Sequence, residues 1–193
     1  AGRDARPGRD GQLLAAALGI DNLGSGLFLP LTLVYVTREL GLPLAAAGGI
    51  VSAGALLGLA VPLLAGRLID ALGPRNIVIA AQGVQALGMV IYLFAHGPAM
   101  VFLAAALTLC GSQLFYSALF TLIGRVAPDG PKDHFFAVID MVRSGCFGLG
   151  SLLAGIALAA GGDKALRVVV ILNAASFVVG AVVGLGVGGR RRV

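Results

Sequence analysis

A chain of 193 residues with 58% apolar and only 12% charged side chains cannot dress a soluble surface, which carries about 25% charged residues. Its net charge of +5 invites a nucleic-acid reading, but a mean hydropathy of +0.97 and basic residues that, Arg143 apart, fall between the apolar blocks or in the terminal segments exclude it. Two histidines and two cysteines, without metal-ligand spacing such as CxxC, lead us to expect neither a metal nor a cofactor.

In chain order, residues 1–11 form a short N-terminal segment with Arg3, Arg6 and Arg9. Six apolar blocks follow, at 12–36, 44–64, 76–95, 99–123, 135–160 and 168–187. Each meets the length of about 20 helical residues that a bilayer core of about 30 Å demands. Runs such as Ala55-Leu56-Leu57-Gly58-Leu59-Ala60-Val61 lack the apolar–polar alternation of a membrane β-barrel. Pro30 and Pro62 fall inside blocks, where membrane helices tolerate them. The first block is too long and too glycine-rich for a signal peptide. The expected fold is therefore an all-α membrane protein with a six-helix transmembrane bundle over 12–187 and a basic tail at 188–193. Loops as short as 37–43, 65–75, 96–98, 124–134 and 161–167 force neighbouring helices to run antiparallel.

Arg3, Arg6, Arg9, Arg67, Arg75, Arg125, Lys132, Arg190, Arg191 and Arg192 fall on one side of this arrangement. Arg38, Lys164 and Arg167 fall on the other. Cytoplasmic loops carry the basic excess, so both termini are expected in the cytoplasm of a multi-pass protein of the cell membrane. Cys110 and Cys146 lie in apolar blocks and read as small packing residues. Gly54 and Gly58, and Gly180, Gly184 and Gly188, repeat at four-residue spacing and offer faces for close helix contact. Gly145, Gly148, Gly150 and Gly155 crowd the fifth block. Gly184-Leu-Gly-Val-Gly-Gly189 matches GxGxxG by letter only, because no strand precedes it and no helix follows.

Between the second and third blocks the chain reads Gly66-Arg67-Leu68-Ile69-Asp70-Ala71-Leu72-Gly73-Pro74-Arg75-Asn76. This resembles the signature loop of the major facilitator superfamily, G-[RK]-x-x-D-[RK]-x-G-[RK]-[RK], at Gly66, Arg67, Asp70, Gly73 and Arg75. Ala71, Pro74 and Asn76 stand where basic residues are common. Gly24-Ser-Gly-Leu-Phe-Leu-Pro30 resembles the drug-efflux branch. Gly150-Ser-Leu-Leu-Ala-Gly155 is similar to the fifth-helix antiporter pattern, with Ser151 in place of its proline and Ala154 in place of a glycine. Leu107 or Thr108 stands where some relatives carry a fourth-helix arginine. The resemblance implies the N-terminal six-helix half of such a transporter, with the 66–75 loop latching the cytoplasmic gate. Gly66 and Gly73 are expected to permit the tight reversal, with Asp70 beside Arg67 and Arg75.

Asp21, Asp140 and Arg143 lie within blocks, where ionisable residues face the bundle interior and mark pathways. Asp21 sits roughly 13 Å, Arg143 roughly 12 Å and Asp140 roughly 7 Å from the nearer helix ends at the α-helical rise. Asp21 and Arg143 are thus level enough to pair. Asp21, Ser25, Phe28 and Thr32 share a face of the first helix. Ser112, Gln113, Tyr116 and Ser117 share one of the fourth. Asp140, Arg143, Ser144, Phe147 and Ser151 share one of the fifth. From these faces we expect a substrate cavity lined by Ser25, Phe28, Gln113, Tyr116 and Phe147 near the midplane.

The expected function is secondary active transport of a small amphipathic, drug-like solute by alternating access, as a proton-coupled efflux antiporter. Its expected partners are the lipid bilayer and a second six-helix half, following Arg190–Arg192 or on a partner subunit. A non-transporting scaffold or channel subunit is the alternative. No Walker A sequence is present for ATP hydrolysis. An intramembrane serine protease would need a histidine deep in the bundle, whereas His96 and His134 lie at block ends. No enzymatic activity is expected.

Overall fold

The computed structural model describes residues 9–126 and 132–186. Arg3, Arg6 and the 188–193 tail with Arg190, Arg191 and Arg192 lie outside them, as do the side chains of Arg9, Arg125, Lys132 and His134. The first span is α1 (Arg9–Phe28), a 3-10 turn (Leu29–Leu31) and α2 (Thr32–Arg38). Then come α3 (Leu44–Leu72), α4 (Pro74–Leu93), α5 (Pro98–Val126), α6 (Lys132–Gly161) and α7 (Asp163–Gly186). Among the described residues six helical spans are long and apolar enough to cross a bilayer.

Pro30 explains the break in the first span. It has no N–H to give to the helical ladder, and the backbone tightens so that the Thr32 N–H bonds Leu29 O. That shift robs Phe28 O of its usual donor. The Thr32 hydroxyl replaces it at 3.2 Å, the kind of side-chain repair that allows proline inside a membrane helix.

The loop between the second and third spans differs from the expectation. α3 continues through Leu72 and α4 begins at Pro74, so the connection is the single residue Gly73. Its φ of +82° and ψ of 146° lie close to a region that only glycine enters freely. Gly66 is helical and takes no part in the reversal. The motif's apolar–charged mixture read as loop, but it is the last two turns of a helix that outruns the apolar stretch. The opposite end shows the same economy, with Gly162 (φ +57°) alone between α6 and α7.

Lateral packing runs in the order α3, α5, α4, α7, α1, α6. α3 and α6 close the two ends of this row and each has one main neighbour. Accordingly only 17% and 11% of their apolar windows are buried, against 50% for the first span. Moving three spans along the chain exchanges α1 with α5, α3 with α6 and α4 with α7, and this exchange preserves every major contact. Gly54 lies against the Ala105–Ala106 backbone, where a Cβ would come within 3.1–3.3 Å, and Gly58 lies against Leu109. Gly180 packs on Gln82 and Gly184 on Ile79, as their spacing predicts. Gly145, Gly148 and Gly155 face open space instead.

Two apolar cores stack along the bundle axis. One surrounds Phe28, Tyr35 and Tyr92, whose rings meet edge to face at 5.2–6.0 Å between centroids. The other joins Leu18, Ile69, Ile77, Phe115 and Leu119. The buried polar residues Asp21, Asn22, Gln82 and Gln85 lie between them in sequence along α1 and α4.

Candidate functional site: a polar layer across the bundle

α1 offers two adjacent polar side chains to two different neighbours. Asp21 is 1% exposed and its Oδ1 accepts a 2.9 Å hydrogen bond from Gln82 Nε2 on α4. Asn22 is equally enclosed, donates to Leu18 O at 2.9 Å and accepts from the Tyr116 hydroxyl on α5 at 2.9 Å. Successive helical residues point about 100° apart, which is how one turn of α1 serves both sides. The Arg143 guanidinium of α6 stands 5.6 Å from the Tyr116 ring centroid, within cation–π range.

Arg143 does not pair with Asp21. Its Nη2 and Nε lie 2.8 and 2.9 Å from Asp140 Oδ1, one turn back on the same helix. Equal depth permitted contact with Asp21, but i,i+3 neighbours on a helix meet with far less reorganisation. Nor do these two residues face a closed interior. Asp140 is 62% and Arg143 38% exposed, because α6 closes the row of helices and one flank has no neighbour. The layer thus runs from Gln82 through α1 and Tyr116 to an accessible ion pair.

The expected cavity residues separate into neighbouring places. Ser25 and Phe28 line a cavity of about 60 Å³ with Thr32, Gln85, Ser112 and Asn173. Gln113 belongs to an open groove of about 570 Å³ between α3 and α5, with Ser52 and Ser112. Tyr116 joins Asn22 and Arg143 as above. Phe147 is half-buried and its backbone presses on Gly26. A larger groove, about 830 Å³ between α1, α6 and α7, is lined almost wholly by apolar side chains such as Leu23, Leu153 and Val168.

Sequence reasoning missed Asn22, Gln82, Gln85 and Asn173, all no more than 2% exposed. They are neutral, so a search for charge in apolar blocks passes over them. Their signal was available as amides in otherwise apolar stretches, which need partners when buried.

At the end of the bundle that holds Gly73, Arg67 and Asp70 are exposed. Arg75 reaches across to α7, where Nε donates to Gly184 O at 3.1 Å and Nη2 donates to Leu185 O. A cation on carbonyls in the C-terminal part of a helix complements its dipole. Arg75, in the first turn of α4, is thus a clamp between spans rather than part of a loop. At the opposite end Arg167 pairs with Glu39, tying the start of α7 to the first connection. Among the described residues no group of three or more His, Cys, Asp or Glu is placed to hold a metal ion.

Six antiparallel apolar spans around a buried polar layer define a multi-pass membrane protein. The chain belongs to the Major Facilitator Superfamily, whose family model matches residues 14–192. Over 91 residues it is 29% identical to the multidrug resistance protein MdtH of Sodalis glossinidius (strain morsitans), covering 47% of this chain and 22% of that protein. A bacterial homologue of the iron transporter ferroportin in its outward-facing state superposes with a TM-score of 0.75 at 20% identity, over 95% of this chain and 46% of that one. The peptide transporter POT in complex with sulfate gives 0.74 at 19% identity, over 96% and 39%. The chain therefore spans less than half the length of these relatives, and its fold is that of half such a transporter.

Proposed function

We propose that the chain is the first half of a secondary transporter that exports a small amphipathic, drug-like solute in exchange for protons. The observation that carries this reading is the carboxyl of Asp21, enclosed at mid-span and linked through neighbouring Asn22 and Tyr116 to the Arg143–Asp140 pair. A carboxyl buried in a span is costly in lipid and is retained where ions or protons pass. The efflux direction rests on the similarity to MdtH over 91 residues.

The solute site forms between this half and a second one. The 60 Å³ cavity is far below the roughly 300–1,000 Å³ of drug-sized ligand pockets. The open α3–α5 groove with Ser52, Ser112 and Gln113 supplies one wall only. Alternating access is then a rocking of the two halves, with Asp70 and Arg67 on the exposed end of α3 as the latch at the cytoplasmic face. Both termini lie on that face of the cell membrane, as the basic excess requires.

The test is solute flux into proteoliposomes holding both halves, driven by an imposed pH gradient. Asp21→Asn keeps an acceptor for Gln82 and removes the titrating group, so flux becomes independent of the gradient. Undiminished pH-driven flux in Asp21→Asn places the coupling elsewhere.

A further inference from the structure

Gln82 is buried as completely as Asp21, at 1% exposure each. Its Nε2 donates to Asp21 Oδ1 at 2.9 Å, while its Oε1 has no hydrogen-bond partner among the described residues. A buried carbonyl oxygen left in this way is unusual, since such groups are almost always paired. The missing partner must be a donor, and Asp21 has none while ionised. Protonated, it has one. An amide and a carboxylic acid fit face to face, with N–H to the acid carbonyl and O–H to the amide carbonyl.

We propose that Gln82 is the residue onto which Asp21 closes when it takes up its proton. The proton enters from water, bonds to Oδ2, and is donated from there in a hydrogen bond to Gln82 Oε1, while Nε2 continues to donate to Oδ1. Two hydrogen bonds then join α1 to α4. On release the proton returns to water, one bond is lost, and Oε1 is orphaned. The orphan makes the unprotonated pair the looser of the two, so the grip between α1 and α4 follows the proton. This rests on the reading of Asp21 as the proton site and adds the residue that senses it.

The surroundings favour Gln82 over any other sensor. At this level α4 presents the neutral Gln82 and Gln85, and α7 the neutral Asn173 and Ser176. The titratable or charged groups are Tyr116 on α5 and Asp140, Arg143 and Cys146 on α6. The Tyr116 hydroxyl is engaged by Asn22 and Arg143 by Asp140, while Cys146 lies towards Gly19, two residues before Asp21 and on the opposite side of α1. Gly180 of α7 backs the Gln82 amide so closely that a Cβ there would stand 3.0 Å from Nε2. The amide is therefore held against Asp21 by the absence of a side chain on α7.

Infrared difference spectra across a pH step, on the reconstituted two-half transporter, read the acid directly. The carbonyl stretch of a carboxylic acid falls in frequency when its C=O accepts and its O–H donates a hydrogen bond. We expect one low-frequency acid band that disappears in Asp21→Asn and moves upward in Gln82→Met. Gly180→Ala keeps the glutamine but displaces its amide from Asp21 by a few tenths of an ångström, and moves the band the same way. An Asp21 band whose frequency is unchanged in Gln82→Met, or in Gly180→Ala should the first variant not fold, overturns the Gln82 pairing and leaves Asp21 as the proton site. Absence of any Asp21-dependent band across the pH range overturns the proton-site reading itself.

Discussion

Tyr116 joins three elements through one hydroxyl and one ring, and the two contributions separate by mutation. Tyr116→Phe keeps the ring under Arg143 and removes the hydrogen bond to Asn22 Oδ1. Interhelical hydrogen bonds within membranes average about 0.6 kcal/mol, so thermal unfolding in detergent should shift by that small amount. Tyr116→Leu also loses the cation–π contact, a further loss of about 0.5–1 kcal/mol. Equal stability of the two variants would mean that Arg143 gains nothing from the ring. Asp21 was legible in the sequence because a carboxylate in an apolar block has few structural uses. Its partner was not, because pairing Asp21 with Gln82 rather than Arg143 depends on α1 and α4 both packing on α7, which helix depth alone does not reveal.

Helix contacts were legible wherever glycine spacing met a neighbour, as at Gly54 and Gly58 on α5. On α6 the glycines divide: Gly150 packs on the α1 backbone at Leu23 and Leu27, while Gly145, Gly148 and Gly155 meet nothing, because α6 closes the row and has one main neighbour. Spacing states what a face permits, and topology decides whether anything is there to use it. Gly54→Leu should cost about 1–3 kcal/mol in detergent unfolding by forcing α3 off α5. Gly48→Leu, with open space around it, should stay within about 0.5 kcal/mol. Similar costs for both would show that α3 does not rest on α5 through Gly54. Six spans could be counted from apolar length alone. The end of α3 could not, since its last turns carry Arg67 and Asp70 beyond the apolar stretch and hold their helical geometry to Gly73.

For the whole molecule the informative faces are the unpartnered ones. α3 exposes Leu56, Leu57, Leu59, Leu63 and Leu64, and α6 exposes Leu149, Leu152, Leu153 and Ile156. Lipid covers such faces without penalty, so apolarity alone does not call for a second half. What lipid suits poorly is the open Asp140–Arg143 pair and the one-walled α3–α5 groove. On the proposed function, six helices alone should bind to membranes yet move no solute, and mass measurement in detergent beside a flux assay checks this. Transport by a six-helix monomer would remove the need for a second half. Asp70→Asn in the two-half protein should insert normally and transport at a small fraction of the wild-type rate. Full flux from well-expressed Asp70→Asn would leave the exposed end of α3 without a latching role.

Gly73 sets the mechanics of that end. Arg75 fastens α4 to the final carbonyls of α7, so the chain immediately after Gly73 is fixed while α3 before it is a rod of 29 residues. At the α-helical rise the rod is roughly 43 Å long, and a tilt of about 10° about one end carries the other through roughly 7 Å. A lever with its fulcrum at a single residue converts small torsions into large displacements at the far surface. On the proposed rocking of the two halves, the side of the bundle opposite Gly73 is therefore where a torsion at that residue would be felt most.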